Sequence, residues 1–118
     1  MATRSTIALE YADGTVHQIY CHWNGYPSYN GKKLKCHYTD PFLVKEMMNL
    51  GDMSSLGDTL YSCEFYGRDR GESDTGRRKF SSYCDYQENR QSEEYDYILR
   101  TDGKWYYSDH GKNFVELV

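Results

Sequence analysis

The residues best suited to ligand chemistry lie together in segment 20–31, whose sequence is YCHWNGYPSYNG. Three of its rings could stack on a flat ligand, and its two asparagine amides could bond the edge of that ligand. Two glycines and a proline predict a loop, and binding groups commonly lie on loops that a rigid scaffold supports. The candidate binding residues are Arg4, His22, Trp23, Asn24, Tyr26, Tyr29 and Asn30. Among them, Arg4 is the expected partner of a phosphate group.

A structural interpretation of the same segment stays open. Trp23 could belong to the core, and Tyr26 with Pro27 could pack as a turn. The asparagine side chains could bond nearby backbone groups, as they do in Asx turns. If Trp23 belongs to the core, its replacement by Ala should destabilise the fold by about 3–5 kcal/mol.

Positive charge is concentrated between Gly67 and Gln91, in a strongly polar part of the sequence. Arg68, Arg70, Arg77, Arg78 and Lys79 come first in it, and acids follow them. One interpretation is a solvent-exposed segment that carries both positive and negative side chains. The other is a mobile loop that clasps an anion with its basic side chains, for which Arg77, Arg78 and Lys79 are candidates.

Two Cys-His dipeptides, Cys21-His22 and Cys36-His37, raise the question of a zinc site or a catalytic dyad. Neighbouring side chains on a strand point to opposite faces, and closed zinc sites usually carry paired Cys-x-x-Cys spacings, which this sequence lacks. A dyad would need a cross pair such as Cys36 with His22. We therefore predict reduced structural cysteines, with no metal, no cofactor and no catalytic residue.

The composition is that of a folded, slightly acidic domain. The 118 residues carry 14 Lys and Arg against 18 Asp and Glu, a formal charge of −4, whereas nucleic-acid coats are strongly basic. The 13 tyrosines argue against disorder. No apolar run approaches the roughly 18 residues of a membrane span, and the first residues lack the apolar region of a secretory signal. We expect one cytoplasmic domain over residues 1–118, with neither membrane nor nucleic acid as a partner.

Two hairpins are predicted from alternating apolar and polar residues. The first joins strands 6–11 and 16–23 through a turn at Gly14, and it places Ile19, Cys21 and Trp23 on one face. The second joins strands 94–100 and 104–108. Single short strands are predicted at 60–66, 80–83 and 114–117.

The clearest helix signal follows Thr39 or Asp40, either of which can cap a helix that begins at Pro41 and ends before Gly51. Its predicted buried stripe consists of Leu43, Val44, Met47, Met48 and Leu50. A shorter helix is predicted over 32–38. The fold class is therefore α+β, an antiparallel sheet of about five strands with one main helix packed on one face.

Several blocks of the sequence together resemble a family of small uncharacterised proteins encoded by bacteriophages and other mobile elements. The blocks are 3–7 (TRSTI), 13–16 (DGTV), 20–27 (YCHWNGYP), 30–31 (NG), 50–57 (LGDMSSLG), 65–72 (FYGRDRGE) and, more loosely, 102–106 (DGKWY). The family has no assigned reaction, and this chain has Asn24 where the relatives carry Asp, so the resemblance implies no catalytic residue. It favours Arg68, Asp69 and Arg70 as a site element, against the alternative that these charges pair with one another.

The resemblance implies a phage-type accessory protein that acts by stoichiometric binding in the bacterial cytoplasm. We expect it to inhibit a host or anti-phage defence protein. The alternative is a sponge, a protein that sequesters a nucleotide-like signalling molecule. A small enzyme is a third hypothesis. Self-association of the chain is left open. An inhibitor should expose an aromatic patch, a sponge should have a concave pocket with Arg4, Arg68 or Arg70 near stacked rings, and an enzyme should hold a base within reach of a nucleophile.

Overall fold

An eight-stranded sheet forms the centre of the protein in the computed structural model, which describes residues 2–118. The strands are β1 (Ser5–Glu10), β2 (Val16–Cys21), β3 (Met53–Ser55), β4 (Glu64–Phe65), β5 (Arg78–Phe80), β6 (Tyr95–Leu99), β7 (Trp105–Asp109) and β8 (Val115–Glu116). The α-helices are α1 (Lys32–His37), α2 (Pro41–Leu50), α3 (Tyr66–Arg70) and α4 (Tyr83–Asn89). A single π-helical turn, Pro27–Gly31, precedes α1 where the sequence predicted a loop. The α+β class is therefore confirmed, although the sheet has more strands, and the chain more helices, than the sequence predicted.

Strand β1 lies in the middle of the sheet and pairs differently on its two sides. It is antiparallel to β2, as the first hairpin predicts, but parallel to β6. The strand order is β4-β3-β2-β1-β6-β7-β8, and β5 pairs with β2. The sheet is mixed rather than antiparallel because the chain between β2 and β6 returns to the end of the sheet at which β1 begins.

Helix α2 forms as its local signals predict. The side chain of Asp40 accepts a hydrogen bond from the Phe42 backbone N–H at 3.0 Å, which caps the helix. Gly51 ends it with φ of 86°, and a Cβ at this position would lie 2.2 Å from the Thr75 carbonyl oxygen. Only glycine therefore fits here without strain.

None of the helices in the described part of the chain is long and apolar enough to cross a bilayer.

The larger core lies between α1, α2 and one face of the sheet. Its sheet residues include Ile7, Leu9, Ile19, Cys21, Tyr97 and Leu99, and its helix residues are Leu34, Val44, Met47 and Met48. Within the predicted stripe of α2, Leu43 and Leu50 are only partly buried and pack at the margin of this core. The methionine-bearing stripe is thus core, not an open groove.

A second, smaller core covers the opposite face of the sheet, which the sequence prediction left bare. Tyr86 of α4 packs there against Ala8, Val16 and Ile98, all fully buried. Helix α4 lies in the stretch predicted as a solvent-exposed segment with a strand at 80–83. That strand lies instead at β5, because Ser82 accepts a hydrogen bond from the Asp85 N–H and so starts a helix.

The predicted strand at 60–66 is also divided. Thr59 and Ser62 exchange side-chain and backbone hydrogen bonds in a capping box, which bends residues Leu60–Ser62 into a 3₁₀ turn. Only Glu64 and Phe65 then pair with β3. The local hydroxyl bonds therefore outcompete the strand that the apolar pattern predicts.

A fully buried carboxylate, that of Asp96 on β6, holds the second face together. It accepts hydrogen bonds from the Thr6 hydroxyl at 2.6 Å and from Arg90 Nε at 3.1 Å. Ser92 and the Glu93 N–H supply two more donors. The arginine also reaches the Ser108 hydroxyl at 3.4 Å, so this network joins β1, β6, β7 and the end of α4.

We expect Arg90→Met to destabilise the fold by about 3–5 kcal/mol, because it leaves the Asp96 charge buried without its cation. Chemical denaturation monitored by far-ultraviolet circular dichroism measures this free energy of unfolding. The matched control is Arg70→Met, which removes an exposed ion pair with Glu64 and should cost less than about 1 kcal/mol. Equal effects of the two substitutions would show that the Asp96 pair is not what stabilises this face.

Candidate functional site

The aromatic loop (residues 22–30) has a backbone that is bonded to the sheet beneath it. The Gly25 N–H donates to the Thr3 carbonyl oxygen at 2.8 Å, and the Tyr97 hydroxyl donates to the Gly25 carbonyl oxygen at 2.6 Å. A Cβ on Gly25 would lie 2.7 Å from the Cβ of Ser5, so the loop lies directly against β1. The loop is therefore held in one position on the sheet.

Asn30 closes the aromatic loop from inside the protein. Its side chain is fully buried and donates to the Trp23 carbonyl oxygen at 3.0 Å, while its backbone N–H donates to the Asn24 carbonyl oxygen at 3.2 Å. Asn24 has the left-handed φ of 60° that asparagine tolerates in turns. Asn30 thus bonds a backbone group, as the structural interpretation of the asparagines allowed, whereas among the described residues the Asn24 side chain accepts only from the Tyr26 hydroxyl at 3.5 Å. Its burial places Asn30 out of reach of a ligand.

The three large rings of the aromatic loop lie at the surface. Trp23, Tyr26 and Tyr29 are 43 %, 38 % and 39 % exposed. The two tyrosine rings lie 6.1 Å apart in an edge arrangement. Trp23 does not continue the face of Ile19 and Cys21 as predicted, because β2 ends at Cys21 and the Trp23 N–H bonds instead to the Ser54 carbonyl oxygen at 3.0 Å.

His22 connects the aromatic loop to Tyr20 on β2. Its Nδ1 shares a hydrogen bond of 2.7 Å with the Tyr20 hydroxyl, and its ring lies edge-on to Trp23 at 4.8 Å. Tyr20 lies close enough to Arg4 for the arginine charge to act on its hydroxyl; burial is the larger effect and raises the pKa of Tyr20. Arg4 therefore lies within electrostatic range of Tyr20, which is bonded to His22.

Arg68, Asp69 and Arg70 lie together on α3, but their charges are largely occupied. Arg68 donates to the carbonyl oxygens of Leu60 and Cys63 at 2.9 and 2.7 Å and pairs with Asp69 at 3.0 Å. Asp69 also accepts from the Phe65 N–H at 2.7 Å. Arg70 pairs with Glu64 at 3.1 Å. This is the internally paired arrangement that the sequence left open, and it leaves Arg68 little freedom to meet a ligand.

Of the three cations proposed to clasp an anion, Arg77 precedes β5 whereas Arg78 and Lys79 lie on it, and alternation along the strand places Arg78 on the face opposite its two neighbours. Arg78 makes a two-pronged ion pair with Asp52, at 3.2 and 3.3 Å. Arg77 and Lys79 form no ion pair with any side chain in residues 2–118. Only these two of the three retain an unbalanced charge.

A basic surface on α1, which none of the predicted site residues occupies, adjoins the aromatic loop. Two cavities of about 230 and 350 Å³ lie on either side of a ridge formed by Ser28, Lys32 and Cys36. Tyr29 lines the smaller cavity, and Lys35 lines the larger one. The signal for this surface in the sequence is the run KKLK at 32–35, within the predicted short helix.

Two of the four thiols have a raised pKa. Burial raises the pKa of Cys21 to about 12, and the adjacent Glu88 carboxylate raises that of Cys84, so neither thiol is activated as a nucleophile. Across residues 2–118 no three His, Cys, Asp or Glu side chains are grouped to hold a metal ion.

Comparison with family models, curated proteins and solved structures found no match to this chain. The geometry of the aromatic loop and of the surfaces beside it is accordingly the basis for a function.

Two tryptophans test whether the aromatic loop is core or surface. We expect Trp23→Ala to change the free energy of unfolding by less than about 1 kcal/mol, because the ring is exposed. Trp105 is 3 % exposed and donates to the Tyr38 carbonyl oxygen at 3.0 Å. Trp105→Ala should therefore lower the free energy of unfolding by about 3–5 kcal/mol. Urea titration of both variants measures the two changes. A similar loss for both variants would place Trp23 among the residues that stabilise the fold.

Proposed function

We propose that this protein acts by stoichiometric binding to a protein partner through the aromatic loop, as a phage-type inhibitor of a host or anti-phage defence protein. One observation carries the proposal: three large exposed rings project from a backbone that buried groups hold in place. The phage context comes from the resemblance described above.

Exposed aromatic rings on a rigid backbone are suited to protein recognition. Tyrosine and tryptophan contribute large contact areas with few rotatable bonds, and they are enriched at the energetic centres of interfaces. A backbone already ordered before binding loses little conformational entropy in the complex. The bonds from Tyr97 and Asn30 supply that order here.

The chemistry around the loop favours a protein surface over a deep small-molecule site at the arginines. Arg4, Arg68 and Arg70, which a nucleotide sponge was expected to use, line none of the three cavities described for the chain. Arg68 is also bonded to backbone carbonyls. A surface of exposed rings with few convergent polar groups is typical of a protein interface.

The test is a plating assay in bacteria that each carry one anti-phage defence system. We expect expression of the wild-type chain to restore phage plating in at least one strain, and we expect Trp23→Ala and Tyr26→Ala each to reduce that effect at least about tenfold, the loss of one interface anchor. The matched control is Tyr61→Ala, which removes a tyrosine ring that is 94 % exposed and distant in sequence from the loop.

Each variant is also melted, so that a loss of activity is separated from a loss of fold. Rescue that survives both loop substitutions would contradict the assignment of the loop. Absence of rescue in every strain would contradict the defence-inhibitor role.

A second candidate function, a sponge for a nucleotide-like molecule, is favoured by the two cavities beside α1. Lys32 borders both cavities, and Tyr29 adds a ring to the smaller one. Lys33 lies 5.0 Å from the centre of that ring but is paired with Asp58 at 2.7 Å. Lys32 and Lys35 are thus the cations available to a phosphate.

Native mass spectrometry of protein purified from bacterial cytosol tests this second function. A sponge should carry an added mass of nucleotide size, and Lys32→Gln combined with Lys35→Gln should remove it, because both phosphate partners are lost. Lys45→Gln combined with Lys104→Gln removes the same charge elsewhere and should retain the added mass. A spectrum of the wild-type chain alone would contradict tight nucleotide binding and favour the protein inhibitor.

A further inference from the structure

An unbalanced group of cations surrounds His17 at the turn end of the first hairpin. His17 of β2 is the register partner of Lys79 on β5, so the two side chains lie next to each other on one face. Arg77 precedes Lys79 by two residues and acts electrostatically on both His17 and Tyr11. The rings of Tyr11 and His17 lie 4.3 Å apart. Two permanent cations, one imidazole and one phenol therefore meet at this point.

Two polar atoms within the group are buried without a partner. Arg77 Nε and His17 Nδ1 are both shielded from solvent, and neither makes a hydrogen bond with the described residues. Buried nitrogens of this kind are rare in folded proteins, and a bound ion or water commonly explains them. The neighbouring Arg78 differs, because Asp52 satisfies its guanidinium.

The local carboxylate does not balance these charges. Asp13 is the acidic group that acts on His17 and Tyr11, and it already accepts hydrogen bonds from the Thr15 N–H and hydroxyl, at 3.0 and 2.7 Å. Burial, and after it the charges of Arg77 and Lys79, lower the pKa of His17. An added anion would offset the two cations and favour the imidazolium form.

We propose that His17, Arg77 and Lys79 form a binding site for a phosphoryl group, with the Tyr11 ring as its wall. Lys79 is exposed and offers a point of entry, while a guanidinium presents further N–H donors in a geometry that fits phosphate oxygens. The phosphoryl group belongs either to a free phosphate ion or to a phosphorylated side chain. The site is separate from the aromatic loop, because His22 lies five residue steps beyond His17 along extended chain, a distance of roughly 17 Å.

Nuclear magnetic resonance of the imidazole signals during titration with inorganic phosphate tests the proposal. At constant ionic strength set with chloride, we expect saturable shifts of the His17 signals and a rise in its pKa, because a bound dianion favours the imidazolium. The other three histidines, His22, His37 and His110, serve as internal controls and should not follow the same curve.

Two variants and one control separate the site from general attraction of anions. Arg77→Gln and Lys79→Gln should each weaken phosphate binding about tenfold or more, the loss of one charge-assisted hydrogen bond. Because Lys79 is exposed, its substitution should leave the fold intact, which keeps the test valid if Arg77→Gln unfolds. Lys104→Gln removes an exposed charge in the turn of the second hairpin and should have no effect.

A phosphoserine peptide of neutral sequence distinguishes the two sources of the phosphoryl group. Tighter binding of the peptide than of phosphate would support the site and identify a phosphorylated protein as its ligand, whereas the reverse order would support the site with a free ion. Equal shifts at all four histidines, or equal effects of Lys79→Gln and Lys104→Gln, would overturn the proposal.

Discussion

The fold depends on how one charge, that of Asp96, is accommodated inside the protein. A buried carboxylate is unfavourable unless donors surround it, and four donors converge on this one from β1, from the end of α4 and from the residues that follow it. Since Thr6 and Asp96 are register partners, their bond reinforces the parallel pairing of β1 with β6. That pairing joins the two hairpins into one sheet and directs α4 onto its second face.

The same strand also holds the aromatic loop, through the residue next to Asp96. Successive side chains on a strand point to opposite faces, so Tyr97 faces the larger core while Asp96 faces α4. The Tyr97 hydroxyl donates a hydrogen bond to the Gly25 carbonyl oxygen and so anchors the aromatic loop. One strand thus secures the helix on one face and the aromatic loop on the other, so Trp23, Tyr26 and Tyr29 are exposed on a backbone with buried support.

Local signals allowed the hairpins and α2 to be predicted, because a turn glycine, the Asp40 cap and Gly51 act within a few residues. The parallel pairing of β1 with β6 could not be predicted, since it joins segments about ninety positions apart whose partners no local pattern specifies. The candidate loop was identified from its composition, but the burial of its individual side chains was not. Asn30 is buried, whereas Trp23 is exposed. Those outcomes depend on Cys21 ending β2 and on the tertiary bond to Ser54.

The distribution of positive charge decides where ligands can be recognised. Arg68, Arg70, Arg78 and Arg90 are each paired with a carboxylate and so serve the fold. Arg4, Arg77 and Lys79 form no ion pair with the described side chains, and they lie towards opposite ends of the β1–β2 hairpin, Arg4 near Tyr20 and the other two around His17. An acidic chain with a formal charge of −4 therefore keeps uncompensated cations at both ends of one rigid hairpin. Because β2 connects these ends without a break, a partner seated on the aromatic loop and an anion held at His17 would bind the same rigid element without competing for it.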